Sequence, residues 1–539
     1  MLATKLALVR RLALGSSLLL AFACGSDPGT DDTSDGGAPG TGGAGTGGNA
    51  GGNPAIGGGG GTGGAGDLPS PYSACYPFDQ PQTRELRAAP KKVLAFYYPM
   101  FPISIDNADP SMDFWNRWMD PAGGNGEYGS IGGLMRDRPL PRAPWDDEAW
   151  RQRDFETEIR RAIAVGLDGF IYEHPDHVAQ DPRNNQLPTM LDAAAAVDPD
   201  FKIMLSPDFP GGEGASTDGL VETIGNAASH PSVYRLDDGR IPLASFAPQR
   251  QPVSFWIEVR DRLAAEKGVD VTFWPFLAPT PPNDTVYEEW NDLVDTYSSW
   301  GGRTVGAAEQ QRLWSLEAHS RDRGWMSPVA FEDVRHKIGN TPDEGRWYAE
   351  ASNSGALRAQ FEKAIEGEAD AVALLTWTDY TESWMNVSQE RGYAIPDLVA
   401  YYTVWLKTGE QPPVVRDSLY YFHRNQHTDA PYDTGMQTEG PMELKHSGPA
   451  ENQVELLAFL TEPGELVITQ GDDVQTMDAP AGMTSFRAPL VAGTTPSFEL
   501  RREGAVVRQL TSNTAIRSTV DYQDMMYHAG GGLDCERPD

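Results

Sequence analysis

The sequence predicts an α/β protein: a (β/α)8 barrel of the TIM type followed by a small C-terminal antiparallel β-sandwich. Three observations predict it. Short apolar runs alternate with amphipathic helical segments from Lys92 to Gly409, the pattern of parallel strands joined by crossover helices. The first run ends in Tyr97-Tyr98-Pro99, where an open doubly wound sheet would carry a glycine-rich phosphate turn. Past Pro412 the pattern changes to short alternating strands separated by turn pairs such as Pro463-Gly464 and Gly471-Asp472, as a small sandwich requires.

The amino-terminal residues stand apart from the folded body. Lys5, Arg10 and Arg11 precede an apolar stretch from Leu12 to Ala23 that ends at Cys24. That stretch is too short for an ordinary membrane span. It resembles a bacterial lipoprotein signal, which implies that residues 1–24 are the signal and that Cys24 becomes the lipidated first residue of the mature chain. A plain secretory signal with an incidental cysteine is the alternative. Either reading exports the chain; the lipoprotein reading places it at the cell surface or in the periplasm, touching the membrane only through its lipid. Residues 25–66 are Gly, Thr, Ala, Asp and Asn with almost nothing to bury, so they read as a flexible tether. The barrel is then expected over 67–411 and the sandwich over 412–539.

Within the barrel, the predicted strands are Val93–Pro99, Gly169–His174, Phe201–Asp208, Ile241–Phe246, Val269–Phe276, a poor sixth at Ser299–Val305, Trp325–Phe331 and Ala371–Trp377. Helices are expected between them. The first, from about Asp146 to Val165, carries Ile159 and Ile163 on one face and stops at Gly166. Between strand one and this helix lies a long loop with Trp115, Trp118 and Trp145. The helix from Val286 to Tyr297 precedes the weak sixth strand, and one from Pro396 to Lys407 closes the set. Six short strands are expected in the sandwich, from Leu419–Phe422 to Ala505–Arg508.

Charge narrows the partners. Lys and Arg number 43 against 77 Asp and Glu, a formal net charge of -34. Such a chain is repelled by nucleic acid and anionic membrane surfaces, leaving neutral or cationic substrates; a neutral polysaccharide and a monomeric protein are expected. Cys75 and Cys535 are the remaining cysteines. In an exported chain they are candidates for one disulfide tying the C-terminus to the start of the barrel. The two histidines of His174-Pro175-Asp176-His177 lack a third ligand at recognisable spacing, so no metal and no cofactor are expected.

The chemistry concentrates after the eighth strand, in Thr376-Trp377-Thr378-Asp379-Tyr380-Thr381-Glu382-Ser383-Trp384. Two carboxylates stand there among aromatic rings. Along an extended strand Asp379 and Glu382 would point to opposite faces, so they share a site only if the chain turns between them. A turn at the C-terminal end of a buried parallel strand is where a barrel places catalytic groups, and two carboxyl groups are the minimum equipment for glycoside hydrolysis. A helix N-cap with its capping partner is the plainer reading of an Asp-x-x-Glu pair. Tyr97, Tyr98, Glu173, His174, Asp208 and Trp274, at other strand ends, and Trp377, Tyr380 and Trp384 are candidates for substrate binding. Core packing is the alternative for Tyr97, Tyr98 and Trp274. Asp168, at a strand beginning, is assigned to the opposite rim.

The Trp377–Ser383 stretch resembles the Trp-Asn-Asp-Tyr-Gly-Glu-Ser motif of glycoside hydrolase family 71, the α-1,3-glucanases or mutanases. The likeness extends to Met326-Ser327-Pro328-Val329, to Ala164-Val165-Gly166-Leu167-Asp168-Gly169-Phe170 and to Tyr420-Tyr421-Phe422-His423-Arg424. It implies an inverting hydrolase with Asp379 and Glu382 as the catalytic pair. Thr378 and Thr381 depart from the family's Asn and Gly, which puts a side-chain hydrogen bond and the turn geometry in question. The first strand, Phe96-Tyr97-Tyr98-Pro99, is similar instead to family 99, leaving an α-mannoside or another α-glycan as the alternative substrate. Glu382 is assigned as the acid, its longer side chain reaching an exposed glycosidic oxygen, with Trp377 and Trp384 desolvating one carboxyl. A non-catalytic glycan-binding lipoprotein is the rival, although a binder has no need of two charged groups beside a neutral sugar.

Overall fold

The computed structural model describes residues 70–175, 186–208, 216–278, 281–336, 345–446 and 448–537, with the side chains of Pro175 and Asp208 outside that set. Cys24 and the stretch 25–66 lie outside the described residues, as do Asp176 and His177.

Eight parallel strands close a barrel: β1 (Lys92–Tyr97), β2 (Gly169–Pro175), β3 (Lys202–Asp208), β4 (Ile241–Phe246), β5 (Val271–Leu277), β6 (Thr296–Ser299), β7 (Gly324–Val329) and β8 (Ala371–Leu374). Each pairs with its neighbours in sequence, and β1 closes on β8 with Leu94 opposite Ala373. Helices cover the outside, among them α1 (Trp150–Ala164), α2 (Leu187–Val197) and α3 (Thr217–Ala227). After them come α4 (Val253–Arg262), α5 (Asp284–Trp290), α6 (Ala307–Ser320), α7 (Gly355–Glu366) and α8 (Ala394–Thr408). Strand alternation sorts the core into two shells. Leu94, Phe96, Ile171, Met204, Trp274 and Met326 fill the interior, while Val93, Phe170, Ile203, Phe273 and Trp325 meet the helices.

The sixth strand differs from expectation. It occupies Thr296–Ser299, and α5 ends at Trp290 instead of running to Tyr297. The reason is packing: Tyr297 is fully buried against Tyr287, a demand of the barrel wall that its neighbours Thr296, Ser298 and Ser299 do not advertise. At the barrel's other rim Asp168 accepts from the Val93 amide at 2.7 Å and pairs with buried Lys407 at 2.7 Å.

The C-terminal sandwich has eight strands: β9 (Ser418–Arg424), β10 (Gln453–Leu460), β11 (Gly464–Gln470), β12 (Asp473–Ala479), β13 (Gly482–Pro489), β14 (Ser497–Arg502), β15 (Ala505–Thr511) and β16 (Tyr527–Gly531). They form two antiparallel sheets, β13-β10-β9-β16 and β12-β11-β14-β15. Two strands escape sequence reading. β12 is a polar edge with almost no buried residue, and β16 is glycine-rich. Leu456, Ile468, Phe498 and Leu500 fill the space between the sheets. On its other face the first sheet joins the barrel's outer shell through Tyr420, Phe422, Leu457 and Phe459. Cys75 and Cys535 form a disulfide with 5.3 Å between their Cα atoms. No described helix is long and apolar enough to cross a membrane.

Candidate active site

Beyond Leu374 the chain leaves the barrel wall and folds back on itself. The Thr376 amide and hydroxyl both donate to the Ser383 carbonyl, at 3.2 and 2.7 Å, and the Ser383 amide returns to the Asp379 carbonyl at 3.1 Å. Trp377 N–H still bonds Phe96 O at 2.8 Å, so the turn rises directly from the β1–β8 seam. The turn keeps Asp379 and Glu382 together at the C-terminal mouth, both partly exposed.

The two threonines that depart from the family motif each have a place in this turn. Thr378 Oγ1 accepts from the Tyr98 amide and donates to the Tyr98 carbonyl, both at 2.9 Å, fastening the turn to the end of β1. Thr381 donates its amide and hydroxyl to Asp379 Oδ1, at 3.0 and 2.6 Å. The Asp379 carboxyl is thereby held in one orientation, and its own amide is capped by Thr376 Oγ1 at 2.7 Å.

Glu382 meets a cation. Its Oε1 lies 2.9 Å from the Arg335 guanidinium, which also chelates Asp333 at 2.9 and 3.0 Å. Arg335 stacks over the Trp347 ring at 4.6 Å, and its two-residue strand Val334–Arg335 pairs with Trp347–Tyr348. Burial works against its charge, but Asp333, Glu382 and Asp379 together push the Arg335 pKa above its ordinary value. Arg303, from the segment after β6, stands 3.6 Å from Asp333 and 5.3 Å from the centre of the Trp300 ring. Trp300 and Phe246, both half-buried, pack edge to face at 4.5 Å over Phe96 and Phe276. They supply an apolar floor on the side of the mouth facing β4–β6.

Four aromatic residues expected to bind substrate are core residues instead. Tyr97 points outward from β1 and packs on Phe155, Phe170 and Tyr172. Trp377 is fully buried, its indole N–H donating to Glu158 at 2.9 Å. Trp384 donates to Asp137 at 3.0 Å beneath the Arg391 guanidinium, and Tyr380 packs between Trp384 and Trp115. The long loop after β1 closes over Tyr380 and Trp384, which form one cluster with Trp115, Trp118, Leu134, Met135 and Met526, while Tyr97 and Trp377 are buried in the outer shell between strands and helices. Trp377 and Trp384 do not flank the carboxylates as desolvating plates. Trp274 likewise belongs to the barrel interior, against Tyr234 near the other rim.

The other candidates remain near the mouth. Tyr98 is half-buried where β1 ends. Glu173 shares the inward face of β2 with Ile171, and Asp208 ends β3, its side chain outside the described residues. His174 is buried, and burial pushes its pKa down to about 4, so the ring is neutral. Sequence reading missed Phe246, Trp300, Arg303, Asp333 and Arg335. The last two stand in Glu332-Asp333-Val334-Arg335, a charged run directly after β7 whose position at a strand end was the available signal.

No group of three or more His, Cys, Asp or Glu among the described residues is arranged to hold a metal. A closed parallel barrel with two carboxylates on a turn at the C-terminal end of its last strand defines the class: a barrel glycoside hydrolase. The model of glycosyl hydrolase family 71 matches residues 146–529, and the chain belongs to that family. It is 23% identical over 403 residues to a glucan endo-1,3-alpha-glucosidase of Schizosaccharomyces pombe, covering 69% of this chain and 89% of the relative. A mutanase of Penicillium rubens is 22% identical over 384 residues, covering 66% and 80%. Among solved structures, a GH99 endo-alpha-mannosidase of a Bacteroides species superposes with a TM-score of 0.45 at 12% identity, over 59% of this chain and 98% of that one.

Proposed function

We propose that this protein is an exported hydrolase of α-1,3-glucan-type polysaccharide that inverts the anomeric centre, with Asp379 and Glu382 as its acid–base pair. The observation that carries this reading is the turn itself, which brings both acids, an odd number of residues apart, to one barrel mouth. Family membership and the activities named for the two relatives support the substrate. The Cys75–Cys535 disulfide supports an oxidising compartment, and the lipid anchor at Cys24 belongs to the same proposal.

Inversion needs one carboxylic acid to protonate the departing oxygen and one carboxylate to activate water on the opposite face of the ring, the two about 6.5–9.5 Å apart. The half-buried Trp300 and Phe246 rings provide the apolar surface on which a pyranose face rests. The test incubates the soluble body, from about residue 67 onward, with α-1,3-glucan, α-mannan and β-glucans, following reducing ends and the anomer first released. Inverted product from α-1,3-glucan is expected. Cleavage of α-mannan alone would replace the substrate, and a folded protein that cleaves nothing would make it a glycan-binding protein.

A further inference from the structure

We infer that the long loop after β1 carries a second sugar-binding surface, a row of aromatic rings ending at Phe114, which holds a glucan chain on the side of the cleaved bond away from Trp300. The inference rests on the glycan-hydrolase reading above and deepens it: a chain held on both sides of Asp379 and Glu382 is cut at an interior bond.

The row starts at the turn. Phe96 faces the barrel interior, so Tyr98, two residues on, lies on the same inward face, and Thr378 fastens its backbone beside the acids. From there the rings step outward, Tyr98 to Phe101 at 5.7 Å, Phe101 to Trp118 at 5.3 Å and Trp118 to Phe114 at 4.8 Å between centres. Trp115 locks the row to the turn, its ring 5.3 Å from Tyr380 and 6.0 Å from Phe101. Around the closed barrel the strands follow one another as β6, β7, β8 and β1. Trp300 comes directly after β6, the two acids after β8 and Tyr98 after β1. The acids therefore stand between the two aromatic surfaces.

Both neighbours of Phe114 in the chain are tied down. Asp113 pairs with buried Arg138 and accepts from the Trp115 amide at 3.1 Å, and Trp115 is fully buried. Between these anchors Phe114 is 40% exposed, at the outer end of a row that is otherwise buried or half-buried. Trp145, also exposed, is a different case, because the guanidinium groups of Arg142 and Arg153 already lie over its ring at 5.5 and 5.1 Å. The charges nearest the row are matched within the loop, Asp113 by Arg138 and Glu127 by Arg117 at 3.2 Å. An apolar row whose nearby charges are balanced suits an uncharged ligand, and aromatic rings give the C–H face of a pyranose a broad contact. Its continuity with the turn that carries the acids makes that ligand the polysaccharide itself.

The test compares the full-length wild type with Phe114→Ala, Phe114→Leu and Phe114→Trp on α-1,3-linked glucose oligosaccharides of increasing length and on the polymer. In the wild type kcat/KM should rise with chain length as both surfaces fill. Phe114→Ala should flatten that rise, lowering kcat/KM on the longest chains about fivefold, through KM and with kcat within about twofold of wild type. Phe114→Leu should behave like Phe114→Ala, and Phe114→Trp should keep the wild-type rise. An unchanged rise in Phe114→Ala overturns the inference; if that variant also alters the mass of the protein in solution, the ring is an interface between copies. Adsorption to particles of α-1,3-glucan needs no turnover: in an Asp379→Asn background, Phe114→Ala should bind more weakly, and equal adsorption likewise overturns the surface. Failure of the underlying reading looks different, since the wild type then cuts none of these chains. If α-mannan is cut instead, the same series on mannose oligosaccharides decides the role of Phe114.

Discussion

Asp379 and Glu382 are both partly exposed at the barrel mouth. Asp379→Asn and Glu382→Gln should each lower kcat by at least about 10²-fold, the scale of general acid–base catalysis, while a thermal melt stays within a degree or two of wild type. Glu158 is the contrary case. It is fully buried on α1 and accepts from Trp377 Nε1 at 2.9 Å, Asn386 Nδ2 at 2.5 Å and Arg161 at 3.0 Å. One carboxylate thus ties both flanks of the turn that carries Asp379 and Glu382 to the barrel's helical shell. Glu158→Ala removes a buried ion pair and two buried hydrogen bonds at once, and a loss of about 3–5 kcal/mol is expected in denaturant unfolding, with kcat falling alongside it. Asn386, a glycosylation sequon by pattern, is committed to this buried bond.

Close approach between elements makes its own demands. β2 and β3 run so near each other at their starts that a Cβ at Gly169 would stand 1.9 Å from the Lys202 carbonyl oxygen. Gly169→Ala should cost about 1–3 kcal/mol, the usual penalty of overpacking, and chemical denaturation reads it directly. Between N-terminal segment and C-terminus the Cys75–Cys535 bridge closes a loop of 460 residues. Replacing both cysteines with serine is expected to lower stability by about 2–5 kcal/mol, measured as a fall in melting temperature that reductant reproduces in the wild type.

Across the whole molecule, barrel and sandwich are joined by buried charge as well as by the shared apolar shell. His528 in β16 lies between Asp524 at 3.2 Å and Glu390 at 3.3 Å. Burial opposes its charge, but these two carboxylates prevail and push its pKa up to about 9. An unfolded histidine titrates near about 6.5, so the folded form is the stronger proton binder. The stabilisation is complete below about pH 6.5 and is lost as pH rises through about 9. His336 has the opposite sign: burial and Arg136 push it down to about 4, so its contribution is lost as pH falls below about 6.5. Unfolding free energy measured from pH 6 to 10 should therefore decline, and His528→Gln should flatten the decline. Arg391 and Glu332 form a second buried pair at the same junction, with the Tyr527 amide on the other Glu332 oxygen at 3.1 Å.

What the sequence determined by itself was the periodic part. Alternating strand and helix patterns specify the barrel, turn-separated short strands specify the sandwich, and the placement of Asp379 and Glu382 just beyond the last apolar strand puts both acids at a strand end, because hydrophobic period and strand ends are local properties of the chain. Only the tertiary structure decided which aromatic rings face substrate and what each acid meets. Trp377, Tyr380 and Trp384 look like a sugar platform in a linear reading, yet a loop more than two hundred residues earlier buries Tyr380 and Trp384, and the outer shell around Phe170 and Glu158 buries Trp377. Arg335 and Glu382 are far apart in sequence and 2.9 Å apart in space. Burial and ion pairing depend on which distant segments converge, and nothing in the spacing of neighbouring residues encodes that.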